Sequence, residues 1–310
     1  MLGILADAGG LGAVLARAAT FVATIGVIGG AAFRWNAARG SDVVGAAAAA
    51  RTAAAAAVRA VTWGALLLLV AVPCRVFLQA QALTMEGDPV LPMVSRVFQT
   101  DWGRAAGAQF VTALVLLFAV VAERQGYARA WRTISFGALL LSVSPAYMGH
   151  ANGTEGAYNT AMVADALHVL AAGGWAGGVA TLTLSALMLR ANVDGPAVAA
   201  TLIDGFKRLA LGCTAMLVLS GVVSSWIRLT AVADLAGTTY GRLLLLKVGL
   251  VAVATLLGWL HSRTAASRTR AGGAGAAGRV ARSIGREAAV MLAVVLVTAV
   301  LAGSAPPGTE

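Results

Sequence analysis

The chain has 310 residues, 59% of them hydrophobic and 12% charged, with a mean hydropathy of +0.82. Soluble domains carry about 25% charged residues, so a water-soluble globular protein is excluded, and the apolar excess excludes disorder as well. The net charge of +10 would point to nucleic acid in a soluble protein, but in a membrane protein it first reports orientation.

Runs of about 20 apolar residues, enough to cross a bilayer, predict eight helices, at 11–34, 54–79, 104–122, 130–149, 160–189, 205–229, 241–261 and 286–303. The expected fold is an all-α polytopic membrane protein. Helix one carries Arg17 and Gly29-Gly30. It has no basic cluster before it and is followed by Arg34 and Arg39, so it reads as a retained span rather than a cleaved signal. Helix two closes on Pro73-Cys74-Arg75. The long loop after it holds Met85 and Met93 and an amphipathic stretch, Val90 to Phe98, that reads as lying on the bilayer. Helix four ends in Met148-Gly149-His150, followed by a polar turn through Asn152 and Glu155. Helix five holds Met162, Asp165, His168, Trp175 and Gly177-Gly178; helix six holds Cys213; helix seven holds Lys247 and ends at His261. The stretch Arg263 to Arg286, rich in Gly, Ala, Ser and Arg, reads as flexible and lipid-facing.

The loops after helices one, three, five and seven contain nearly all the loop Lys and Arg. The opposite loops hold only Arg96, Arg104, Arg228 and Arg242. The positive-inside rule therefore puts the first set in the cytoplasm and both termini outside. Thr100-Asp-Trp-Gly-Arg104 and Thr238-Thr-Tyr-Gly-Arg242 repeat each other, and Gly29-Gly30 matches Gly177-Gly178. These matches predict two parallel four-helix repeats, 1–156 and 157–310, forming one membrane domain.

Ionisable groups inside spans are costly and need a partner or a task. Arg17, Arg75, Asp165, His168 and Lys247 all fall in the outer third of the membrane. Arg17 and Asp165 occupy equivalent repeat positions, which predicts an ion pair between helices one and five; the alternative is that each snorkels to the interface alone. Asp165 lies one helical turn before His168, and His168, Ala172 and Trp175 share a face. Imidazole, thioether and thiolate are the ligands soft Cu(I) prefers. The candidate metal ligands are thus His150, His168, Met148, Met162 and Cys74, with Asp165 orienting His168 and Arg17, Trp175 and Lys247 around them. Cys213 reads as a packed core residue.

Together, Gly149-His150, Asp165-Ala-Leu-His168 through Trp175-Ala-Gly-Gly178, and Ser220-Gly221 with Trp226 resemble the CopD family, the copper resistance protein D type of membrane protein. Thr239-Tyr-Gly-Arg242 to Lys247, Arg286-Glu287 and Pro306-Pro307 extend the match in order. The resemblance implies an inner-membrane copper protein, often an importer served by a periplasmic copper-binding partner, and favours His150 and His168 as metal-associated positions. A periplasmic domain is not expected within this chain, so that partner would be a separate protein. With no P-loop and no catalytic constellation, the expectation is a transporter rather than an enzyme, lipid-embedded and without nucleic-acid partners. Two other readings stay open. The histidines would serve equally as axial ligands to haem b in a redox subunit, and the chain would also suit an accessory subunit of a larger membrane complex.

Overall fold

A computed structural model describes residues 2–39, 46–149, 157–192, 194–271 and 276–307, all helical or in short connections, with no strand among them. The helices are α1 (Leu2–Asp7), α2 (Gly10–Ala38), α3 (Ala46–Leu83), α4 (Val90–Val97), α5 (Asp101–Arg124) and α6 (Ala130–Met148). They continue with α7 (Tyr158–Ala172), α8 (Gly178–Met188), α9 (Gly195–Arg228), α10 (Asp234–Gly237), α11 (Thr239–Ala271) and α12 (Ala276–Leu301). A π-helical turn, Gly173–Gly177, joins α7 to α8 in one rod. Every predicted span is therefore helical.

Among the described residues, six rods are long and apolar enough to cross a membrane: Gly10–Ala38, Ala46–Leu83, Asp101–Arg124, Tyr158–Met188, Gly195–Arg228 and Thr239–Leu260. α6 is diluted by Arg132, Ser135, Ser142, Ser144 and Pro145, and the apolar part of α12, Glu287–Leu301, is shorter. The molecule is built for lipid. Trp63, Phe118, Leu211, Leu219 and Trp226 are all exposed, whereas Thr20, Thr24, Gln109, Ser144, Thr181 and Ser220 are buried. That is the reverse of a soluble domain, where polar side chains cover an apolar core. The chain is a multi-pass membrane protein.

Two boundaries differ from expectation. α11 and α12 run well into the stretch predicted as flexible, because alanine is the strongest helix former and outweighs the scattered glycines there. The Val90 stretch does form a helix, α4, which packs against α3.

The neighbour relations of the first half recur in the second. α2 lies along α3 as the α7–α8 rod lies along α9; α3 meets α5 as α9 meets α11; α5 meets α6 as α11 meets α12; α2 meets α6 as α8 meets α12. The halves join where α6 meets α7, where α12 meets α2, and where α2 crosses the π-helical turn. At that crossing Gly29 and Gly177 bring two backbones together: a Cβ on Gly29 would strike the Gly177 backbone, and one on Gly177 would strike the carbonyl of Ile25. On its other side α2 is met by Gly64 of α3, whose absent Cβ leaves room for the Ala23 carbonyl, 2.8 Å from where that Cβ would stand. Small residues substitute close backbone packing for the hydrophobic drive that lipid does not supply.

Candidate functional site

The duplicated Thr-x-aromatic-Gly-Arg segments are helix-start devices. Thr100 precedes α5 in extended backbone and its hydroxyl accepts the Gly103 N–H at 3.1 Å. Thr238 accepts the Gly241 N–H at 3.0 Å. Each satisfies one of the orphan donors of a helix N-terminus. Both glycines are dictated by crowding: a Cβ on Gly103 would strike the Val97 carbonyl of α4, and one on Gly241 the Asp234 carbonyl of α10. The device sets the aromatic, Trp102 or Tyr240, at the first turn, with Gln109 or Lys247 seven residues further along the same helix.

Around the second device, α7, α9 and α11 gather a polar cluster. Asp165 is held by Arg228 at 2.6 Å and by the Ser224 hydroxyl at 3.0 Å, and both charged side chains are largely buried. His168 Nδ1 lies 3.1 Å from Ser220 Oγ. The Ser220 hydroxyl donates to the Met216 carbonyl at 2.7 Å, so its oxygen is left to accept from Nδ1–H. The Nδ1–H tautomer fits this contact and leaves the lone pair on Nε2, the arrangement metal-bound histidines adopt. Gly221 lets α9 lie against the imidazole: a Cβ there would stand 3.4 Å from Cε1. Lys247 and Arg228 lie within electrostatic range of the ring, and Asp165 offsets one of the two charges.

Arg17 does not pair with Asp165. It donates to the Ala299 and Ala8 carbonyls, close to the C-terminal end of α12, where unsatisfied carbonyls favour a cation. The reason is geometric. α2 and the α7–α8 rod touch at Gly29 and Gly177, twelve residues or about 18 Å along each helix from the two charges. There, Asp165 faces α9 and Arg17 faces α12.

The other predicted ligands are dispersed. Met148 is buried and its sulfur faces Arg75 Nη1 at 3.7 Å; Arg75 also stands over the Trp102 ring, 5.3 Å from its centroid. Met162 is buried with Ala146 and Ala161, with Ile227 packed against them. Cys74 is exposed on α3. Trp175 falls within the π-helical turn and packs in a core with Cys213, Leu217 and Phe206. His150 lies outside the described residues. Among those described, no three His, Cys, Asp or Glu side chains gather as a metal site. Arg228, Ser220 and Ser224 are the members of this cluster that reading for buried charges missed. Their signal was the four-residue spacing 220, 224, 228, which puts them on one helical face.

The copper resistance protein D-like N-terminal domain model matches residues 5–160, half of the chain, and the copper resistance protein D model matches residues 200–301. The chain belongs to the CopD family. Its family places it among copper-handling membrane proteins. His168 lies between the two matched stretches. The chain is also similar to the copper transport protein CutJ of Bacillus subtilis (strain 168), with 28% identity over 182 residues, 59% of this chain and 31% of that protein. The match thus spans about a third of that relative's length. No solved structure matches the chain.

Proposed function

We propose that this protein carries copper across the bacterial cytoplasmic membrane, inward from the periplasmic side, through a site centred on His168. The reading takes all eight apolar helices as spans, in two parallel repeats, with both termini periplasmic. The recurring helix neighbours support the repeats. The observation that carries the site is the His168 Nδ1–Ser220 Oγ contact beside the Asp165–Arg228 pair: with the proton on Nδ1, Nε2 is the ligand atom. Cu(I) is the ion best suited to imidazole and thioether donors. His150, which follows α6 in the sequence, would add a second imidazole, and a separate periplasmic copper-binding protein would deliver the ion.

The test is metal analysis of purified protein together with copper uptake by cells, comparing wild type with His168→Ala and with the His150→Ala/His168→Ala double variant. Loss of bound copper and of uptake in both variants is expected. Equal copper content in all three proteins would overturn the site, and copper-dependent efflux would overturn the direction. Lys247 opposes a cation at Nε2, so Lys247→Met is expected to raise copper retention; lower retention would assign Lys247 a positive part in the site.

A further inference from the structure

We propose that the groove between α3 and α5, at the end of the bundle opposite the His168 cluster, binds the phosphate headgroup of an anionic phospholipid. The groove is an open depression of about 410 Å³ lined by Arg51, Ala55, Val58, Arg59, Glu123 and Arg124. Among the described residues, none of its three arginines forms an ion pair. The one carboxylate in the wall is engaged elsewhere. Glu123 accepts a hydrogen bond from Trp131 Nε1 at 3.3 Å, and Arg34, its electrostatic partner, stacks on the same indole at 4.1 Å. Three guanidiniums around a small-residue floor therefore outnumber the single wall carboxylate, and guanidinium is the group whose geometry best fits phosphate.

What marks the ligand as a lipid is the surface leading away from the groove. Arg51, Ala55, Arg59 and Trp63 follow one another at four-residue spacing on the exposed face of α3, so they form one row. Trp63 is 70% exposed. A headgroup seated among the arginines would lay an acyl chain along this row toward Trp63. Basic pockets between helices at the cytoplasmic side are where such headgroups bind.

The experiment uses the full chain in neutral detergent and follows its thermal midpoint as phosphatidylglycerol, phosphatidylcholine or inorganic phosphate is added. Phosphatidylglycerol is expected to raise the midpoint and the other two to leave it unchanged. Arg51→Gln/Arg59→Gln should weaken the half-saturating phosphatidylglycerol concentration about tenfold or more, since each basic residue contributes about 1 kcal/mol toward anionic lipid. Arg129→Gln/Arg132→Gln removes the same charge from the same end and should leave it unchanged. Ala55→Phe fills the groove with no change of charge and should weaken binding like the arginine variant. Equal weakening by both arginine pairs, an undiminished response in Ala55→Phe, or an equal response to phosphatidylcholine would overturn the proposal. A midpoint raised by inorganic phosphate alone would overturn the lipid as the ligand.

Discussion

The Thr-x-aromatic-Gly-Arg ends of the two halves start from the same device and finish differently. In the first, the turn before α5 sets Trp102 under Arg75, and seven residues later Gln109 donates to Ser144 at 2.8 Å in a fully buried contact. In the second, the turn before α11 sets Tyr240, and the position seven residues later is Lys247, beside Asp165, Arg228 and His168. The first corner is closed by a neutral amide, a thioether and a cation resting on an indole. The second keeps a carboxylate, an imidazole and two cations where lipid makes each expensive. The first corner also keeps a cation inside the span, resting on an indole and a thioether, and a buried Gln109 oxygen without a partner among the described residues. What distinguishes the second is an imidazole set beside a carboxylate, which is why the chemistry is proposed there.

The sharpest way to break this comparison is to remove one arginine from each corner. Arg228→Gln leaves the Asp165 carboxylate buried without a partner and is expected to cost about 3 kcal/mol or more, with Asp165→Asn/Arg228→Gln recovering most of it. Arg75→Gln strands no carboxylate and should cost under about 1 kcal/mol. Thermal unfolding in detergent checks both, and equal losses would show that the corners do not differ in this way. What the corners share predicts equal effects. Gly103→Ala and Gly241→Ala each push a Cβ into the preceding short helix and should each cost about 1–3 kcal/mol. Thr100→Ala and Thr238→Ala each lose a cap, about 1 kcal/mol; a large inequality within either pair would mean the two turns are not the same device.

The smallest effect is a pH dependence confined to the second corner. The Asp234 carboxylate accepts from the Thr230 hydroxyl at 2.7 Å and from the Ala231 and Thr230 N–H groups at 2.7 and 3.1 Å. The Thr230 hydroxyl first, then these amides, hold it below the usual carboxylate range. A depressed folded-state value means the loop is stabilised above the ordinary carboxylate range and loses that support as pH falls through the folded value. The protection of the Thr230 and Ala231 amides, as exchange relative to the intrinsic rate at each pH, should fall on acidification. In Asp234→Asn it should already be low at neutral pH, with no acid step.

Much of the scaffold was legible in the residues because bilayer thickness imposes a length and an apolarity that a one-dimensional scan detects. The Thr100 and Thr238 segments were visible as a repeat, but that each caps a helix and crowds its glycine against a preceding short helix only the structure showed. The partners of Arg17 and Asp165 were not legible. Equal depth in two repeats says nothing about which face of a helix turns to which neighbour, and a crossing at Gly29 and Gly177 sends the two side chains to different helices.

The candidate ligands divide the same way. His168 and Asp165 were visible as ionisable groups inside an apolar run, but their partners Ser220, Ser224 and Arg228 lie more than fifty residues away on α9. The π-helical turn at Gly173–Gly177 altered the register that had placed Trp175 on the His168 face, and Trp175 went into the core. Met148 went to Arg75 in the first corner while His168 stayed in the second. By itself the sequence determined a membrane-spanning all-helical chain of the CopD type with most of the ionisable groups of its spans at one end, because span length and charge placement are local properties. Only the tertiary structure decided which charges meet. Helix rotation and crossing are set by contacts between segments far apart in the chain, and no local pattern encodes them.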